Sequence, residues 1–315
     1  MISVTRQTAA LSTILLLTTI VLCTARLHIN PFAIEVAESE FMPRVWETML
    51  AAAMLFASAI IINRTTVKVG LFGGFSALPV SVFGFLAFGV LLSPNIVTAA
   101  ATTLCMALGV LFLLRSMQTV GEKEALFTGA LMLGIMPIIY PPAIAFALIM
   151  PIIMFIAPLN VRQAIIIVAG YLLPMLGASY VNWYLGGGIA DLALGIWQNI
   201  TTPSQITLLE GLPIVTIAIC VVLVPMLLYG FMLGIHTNYS MLEPVRKTIQ
   251  TAIWLMIIGV AALLFVPGCG LAIIPTIAIP ATILITFALD RMEAMWANWF
   301  YITLVALVII HLVVY

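Results

Sequence analysis

Charge is scarce in this sequence. Only 7% of the 315 residues are Asp, Glu, Lys or Arg, against about 25% in an ordinary soluble domain. So few charges cannot cover a water-exposed fold of this size, which excludes a soluble globular protein and leaves lipid as the solvent. Eleven basic residues balance eleven acidic ones, so the chain lacks the positive field of a nucleic-acid binder and no nucleic-acid partner is expected. The four cysteines, Cys23, Cys105, Cys220 and Cys269, are far apart, and with three histidines they form no CxxC and no Cys/His ligand spacing. Phosphate-loop, G-x-S-x-G, H-E-x-x-H and dinucleotide motifs are all missing, so neither metal nor cofactor is implied. The residue before Cys23 is Leu22, where a lipoprotein signal requires a small residue, so the first apolar run reads as a retained helix.

Long apolar runs are what the sequence has in quantity; 64% of it is hydrophobic. Runs of this kind recur at the length of about 20 residues that carries a helix across a hydrocarbon core. Lipid offers no partner to open backbone groups, so spans are helices or closed barrels; continuous rather than alternating apolar runs select helices. The runs predict about eleven spans, at 8–25, 46–62, 70–92, 95–114, 125–140, 142–158, 163–184, 212–235, 249–266, 270–289 and 296–315. Nothing between them is long enough for a soluble domain. The expectation is an all-α polytopic bundle with residues 1–315 as one integral membrane domain. Ser93-Pro94-Asn95, Tyr140-Pro141-Pro142 and Pro267-Gly268-Cys269-Gly270 mark tight hairpins. The pair around Tyr140 reads either as two full spans or as a re-entrant hairpin.

Orientation follows from the cations. With the N-terminus in the cytoplasm, Arg6, Arg64, Lys68, Arg115, Lys123, Arg162, Arg246, Lys247 and Arg291 fall inside and only Arg26 and Arg44 outside, as the positive-inside rule requires. Tyr315 then lies outside. The implied location is a bacterial inner membrane, crossed many times, with membrane lipids as the first partner. Two outer loops have content, 26–45 and 185–211. In the second, Ile189, Leu192, Ala193 and Ile196 recur at helical spacing before Trp197, which predicts a short helix in the interface with its Trp at headgroup depth.

Ionisable groups at membrane depth would mark an ion pathway, and almost none are found: His236, Asp290, His311, Glu47 and Glu210 all sit near span ends. Chemistry is therefore expected at the outer face. Glu35, Glu38 and Glu40 precede Arg44 in the first outer loop. A carboxylate there suits a general base for a hydroxyl, and an Arg fork suits a phosphate. Arg26, Asp191, Trp183 and Tyr184 complete the candidate substrate face, the aromatic pair also fitting the interfacial belt. The same glutamates also read as an ordinary solvated loop. Kinking prolines inside spans (Pro79, Pro137, Pro151, Pro174, Pro225, Pro275, Pro280) leave a permease or flippase open. Ala130 and Gly134, at small-xxx-small spacing, fit either internal packing or a membrane-protein partner.

The stretch from Glu124 through Gly129, Gly134, Pro137 and Tyr140-Pro141-Pro142-Ala143, followed by Asn160-Val-Arg162-Gln and Gly170-Tyr-Leu-Leu-Pro174, resembles a family of uncharacterised bacterial inner-membrane proteins of similar length. More distantly it resembles the membrane core of GT-C glycosyltransferases, which take a sugar from a polyprenyl-phosphate donor on the outer side. That resemblance implies an enzyme of cell-envelope assembly acting on a lipid-linked glycan or phosphate. One of Glu35, Glu38 and Glu40 would be its acidic catalytic residue and Arg44 its donor-phosphate contact.

Overall fold

The computed structural model describes residues 44–71, 78–88, 96–118, 122–157, 159–202, 214–237 and 241–314. The expected span 8–25 lies outside the described residues. What is described is helical: α1 Arg44–Val69, α2 Leu78–Phe88, α3 Ile96–Gln118, α4 Lys123–Ile139, a 3-10 segment Pro141–Leu148 leading into α5 Ile149–Ile156, α6 Val161–Tyr184, α7 Asp191–Thr201, α8 Ile214–His236, α9 Glu243–Phe265, a 3-10 turn Leu271–Ile273, α10 Ile274–Arg291 and α11 Ala294–Val314. Five stretches, Met49–Val69, Ile96–Gln118, Val161–Tyr184, Glu243–Phe265 and Ile274–Arg291, are long and apolar enough to cross a membrane.

Helix ends follow local chemistry more closely than apolar runs do. α1 continues past the expected limit at residue 62 to Val69, where Gly70 takes φ 75°. Gly70 N–H bonds the Val67 carbonyl at 3.0 Å and Leu71 N–H the Thr66 carbonyl at 3.1 Å, the paired closure that a left-handed residue permits. α6 stops in the same way at Gly186, φ 94°, with Gly186 N–H on Trp183 and Gly187 N–H on Asn182, both at 3.0 Å. α9 begins at Glu243, ahead of the expected 249, because Pro244 suits a first turn and Glu243 pairs with Lys247 at 2.8 Å.

The segment after Tyr140 departs most from the expected 142–158 α-helix. Pro141 and Pro142 sit in the first turn, where no N–H is needed, but Pro151 has no N–H for the Ala147 carbonyl, so regular α winding is obstructed ahead of it. The chain winds as 3-10 helix instead. There, residues three apart eclipse, and Ala143, Phe146 and Ile149 are buried in that period against α9. The tighter coil also rises faster. Eight residues at about 2.0 Å and eight at about 1.5 Å give a contour of roughly 28 Å, close to a hydrocarbon core of about 30 Å. The chain from Pro141 to Ile156 is packed on α9 throughout.

In the packing, α1, α3, α4 and α6 make the most extensive contacts in sequence, and α10 is enclosed by α2, α3, α8 and α9. Every residue of α10 from Pro275 to Leu289 is buried, as befits a helix apolar all round. Close approach comes from glycines. Gly134 faces the backbone of Tyr171 in α6, and Gly170 of α6 faces Phe127 and Ala130 in α4. A Cβ on Gly129 would meet the Leu113 side chain at 2.9 Å, and one on Gly109 that of Leu133 at 2.9 Å. Ala130 and Gly134 thus serve contacts within the chain.

The contacts sort the helix ends into two groups. At one, Arg115 pairs with Glu122 at 2.8 Å, and Lys247 Nζ donates to the Met117 carbonyl at 3.3 Å. At the other, the turn after α4, the turn before α10 and the C-terminus of α7 meet.

Replacing Gly134 by Ala puts a methyl group on the Tyr171 carbonyl, and overpacking of this kind costs about 1–3 kcal/mol. The same change at Gly177, where nothing lies within 4 Å, is expected to be neutral. Thermal unfolding in detergent checks this: Gly134→Ala lowers the midpoint and Gly177→Ala does not.

Candidate functional site

Among the described residues every buried polar side chain is a Ser or Thr. Nearly all are satisfied within their own helix. Ser58 donates to Met54, Thr102 to Thr98, Thr103 to Ala99, Thr248 to Pro244, Thr282 to Ala278 and Thr286 to Thr282, at 2.6–2.9 Å. Back-bonding to the carbonyl four residues earlier is how a hydroxyl survives in an apolar interior. The exception is Thr276, whose hydroxyl meets that of Thr103 at 3.4 Å, a long bridge between α10 and α3. Three further buried polar atoms, Asn63 Oδ1 in α1, Tyr171 OH in α6 and Tyr301 OH in α11, have no hydrogen bond of good geometry, the last lying beside Ser81; they sit on separate helices and do not compose a site. Apart from these atoms the buried hydroxyls are engaged, and no Asp, Glu, Lys, Arg or His of the described residues is buried.

Attention therefore moves to the end where the turns meet. Tyr140 closes α4 in extended backbone, φ −137° and ψ 99°, as the residue before a proline favours. Its hydroxyl accepts the Gly270 N–H at 2.8 Å and also faces the Cys269 thiol. Cys269 is 4% exposed, and burial pushes its thiol up to about 11. Beside it, Gly268 N–H donates to the Ile200 carbonyl at 3.1 Å, and Gly268 abuts the Asn199 carbonyl so closely that a Cβ has no room. These bonds join the turn before α10, the corner after α4 and the end of α7.

The loop between α6 and α7 is built with equal economy. Asn182 Nδ2 donates to the Gly188 carbonyl at 3.0 Å. The Gly188 N–H donates to Asp191 Oδ2 at 2.5 Å, while Asp191 N–H returns a bond to the Gly188 carbonyl at 3.2 Å. Asp191 was singled out as a substrate contact; one of its oxygens is engaged in holding the glycine turn at the head of α7. Trp183 and Tyr184 are 51% and 78% exposed, with Tyr180 5.9 Å from Trp183 between ring centroids. The three share this end through the turn that links α6 to α7.

The remaining candidates fall elsewhere. Arg26, Glu35, Glu38 and Glu40 lie outside the described residues. Arg44 is the first residue of α1, its backbone alone described. What sequence reasoning did not find is the contact between Tyr140 and Gly270. Tyr140 stood in the sequence only as part of a proline turn, and a hydrogen bond 130 positions away leaves no local signal.

Comparison with protein-family models, with curated proteins and with solved structures finds no match.

A thiol raised from 9.0 to about 11 holds about a hundredfold less thiolate at neutral pH. Cys269 is accordingly expected to resist maleimide in the folded protein at pH 7. Tyr140→Phe leaves the Gly270 N–H without its acceptor, a loss of about 1–3 kcal/mol, and is expected to speed Cys269 modification. Mass spectrometry of the peptide containing residue 269 reads both.

Proposed function

We propose that the protein is a multi-pass protein of a bacterial inner membrane that acts at its outer face on a lipid-linked sugar or phosphate, in the manner of a GT-C enzyme of cell-envelope assembly. In this reading the chain crosses about eleven times, the estimate resting on apolar span length; it has a cytoplasmic N-terminus and an outer C-terminus. One of Glu35, Glu38 and Glu40 is the base that takes the proton of an acceptor hydroxyl. Arg44 and Arg26 face the donor phosphate, and Trp183 and Tyr184 receive the sugar or its carrier.

The observation that carries this reading is the sorting of charge between the two groups of ends. Arg115 and Lys247 cluster where α3 ends and α9 begins. The opposite group, with Tyr140, Gly268 and α7, has among the described residues one carboxylate, Asp191, and no Lys or Arg, and in this reading the start of α1 adds only Arg44 and Glu47 to that face. That is the asymmetry of a cytoplasmic and an outer face. Opposed placement of the two groups also suits Pro141–Ile156 as a full crossing rather than a re-entrant loop. A permease reading finds less support, since ion-coupled transport draws on ionisable groups at membrane depth, and no Asp, Glu, Lys, Arg or His of the described residues is buried. The reading as a non-catalytic subunit loses one of its arguments, because Gly134 and Ala130 are occupied within the chain.

Orientation and chemistry are tested separately. A cysteine at position 38 is expected to react with an impermeant maleimide in intact cells, and one at position 246 only after permeabilisation; the reverse pattern overturns the topology. Single substitutions Glu35→Gln, Glu38→Gln, Glu40→Gln and Arg44→Ala, in cells depending on the variant alone, are expected to include one that accumulates lipid-linked precursor. Loss of a general base costs about 10²–10⁴ in rate. Four silent substitutions would sink the catalytic proposal and leave the topology standing.

A further inference from the structure

α7 is too short to span, at about 16 Å for its eleven residues, yet it is apolar on more than one side. The sequence groups Ile189, Leu192, Ala193 and Ile196 by helical spacing, ahead of Trp197. The structure divides that set. Ile196 is buried and Leu192 and Ile200 are half-buried, and this row faces the bundle, where α7 rests on the Pro141–Leu148 segment and on α6. At 3.6 residues per turn, Ala193, Leu194 and Trp197 fall on the next flank. All three are exposed, Leu194 at 55% and Trp197 at 66%. Beyond them lie Gln198 and Asp191, also exposed. The helix thus has three sectors: one packed on protein, one apolar and uncovered, one polar and uncovered.

We infer that the Ala193–Leu194–Trp197 flank of α7 is a membrane-surface contact, seated at the boundary between headgroups and acyl chains of the outer leaflet. The inference rests on the membrane reading above. A helix lying in that boundary has hydrocarbon on one side and water on the other, which is the division between the Leu194–Trp197 and Asp191–Gln198 flanks. α6 leads into α7 through the Gly186–Gly188 turn and ends on exposed Tyr180, Trp183 and Tyr184. Trp and Tyr concentrate at this depth. α7 carries no Lys or Arg, so its attachment is to the apolar boundary and not to anionic charge. Its height is fixed from within by the Gly268–Ile200 bond and the Asn182–Gly188–Asp191 turn, so lipid contact at Trp197 holds the Tyr140–Gly270 corner at a set depth.

The chain has six tryptophans, which permits a direct test in phosphatidylcholine vesicles. One variant keeps only Trp197 and another only Trp254, an exposed residue well within α9, the rest being Phe. Trp197 is expected to lose most of its emission to lipids brominated near the headgroup and little to those brominated near the chain ends. Trp254 is expected to show the opposite preference. Trp197 quenched only by aqueous acrylamide, or protected from both lipid and acrylamide as under a second copy, overturns the inference while a quenched Trp254 keeps the membrane reading. If neither responds to brominated lipid, the membrane reading itself falls. Should five replacements disturb folding, a spin label at Leu194→Cys, read as the difference from the identically treated unsubstituted chain, reports the same contact. Greater accessibility to oxygen than to a soluble nickel complex is expected; the reverse overturns it.

Discussion

The fold depends on how closely α4 can approach its two neighbours. In hydrocarbon, apolar side chains gain nothing by leaving solvent, so helices associate through contact and through backbone proximity. α4 achieves this on two sides with small residues. Gly129 receives Leu113 of α3, while Ala130 and Gly134 receive Gly170 and the Tyr171 backbone of α6. The same device recurs where Gly230 of α8 meets the Leu284 carbonyl of the central α10, and where Gly259 of α9 receives Ile277 with Phe146 at 3.6 Å beyond it. Phe146 reaches that position because the proline-bound segment winds as 3-10 helix, which places it in line with Ala143 and Ile149. The absent side chain at Gly259 makes room for Ile277, which a Cβ there would meet at 2.8 Å, whereas Phe146 would stand at an ordinary 3.6 Å.

Satisfaction of polar groups follows the same economy. Hydroxyls within the bundle turn back on their own helices, leaving little for partners elsewhere. Stronger polar groups are found at the ends, where they bind turns together. Neither exposed ion pair, Arg115–Glu122 nor Glu243–Lys247, is a large source of stability, since such pairs contribute about 0–1 kcal/mol. Their value is in locating the ends: Lys247 reaches the Met117 carbonyl and so places the start of α9 beside the finish of α3.

Much of this was legible in the sequence because lipid imposes simple rules. Apolar length located the cores of the described helices, and the helical spacing from Ile189 to Trp197 announced α7. The glycine run at 186–188 marked the stop of α6. The misreadings have specific causes. Hydropathy follows the hydrocarbon and not the helix, so α1 and α9 were drawn short by their polar turns at Arg64–Lys68 and Glu243–Thr248. Periodicity announced α7 as an interfacial helix but did not say which of its apolar residues meet protein. Which of two apolar flanks meets protein depends on the turn before α10, residues that sequence spacing does not bring near. The 3-10 winding was hidden for a related reason: Pro151 was read as a kink, whereas the N–H it lacks obstructs regular α winding in the turn before it.

In the proposed orientation, the outer group of ends also limits where reactive groups can come from. Tyr140 accepts the Gly270 N–H, Asn182 holds the Gly188 carbonyl, and Asp191 holds the Gly188 N–H. Each is a group that site-reading by residue type would choose, and each has a structural duty that substrate would have to share. Moving Asp191 toward a ligand exposes the first turn of α7, whose seat on the α10 approach then loosens. A catalytic base must gain and lose a proton without dislodging the scaffold around it. Within the proposed function, that demand favours carboxylates brought in from a separate segment, which is the role assigned to the glutamates preceding Arg44, with α7 and the Tyr140 corner as the fixed floor on which they act.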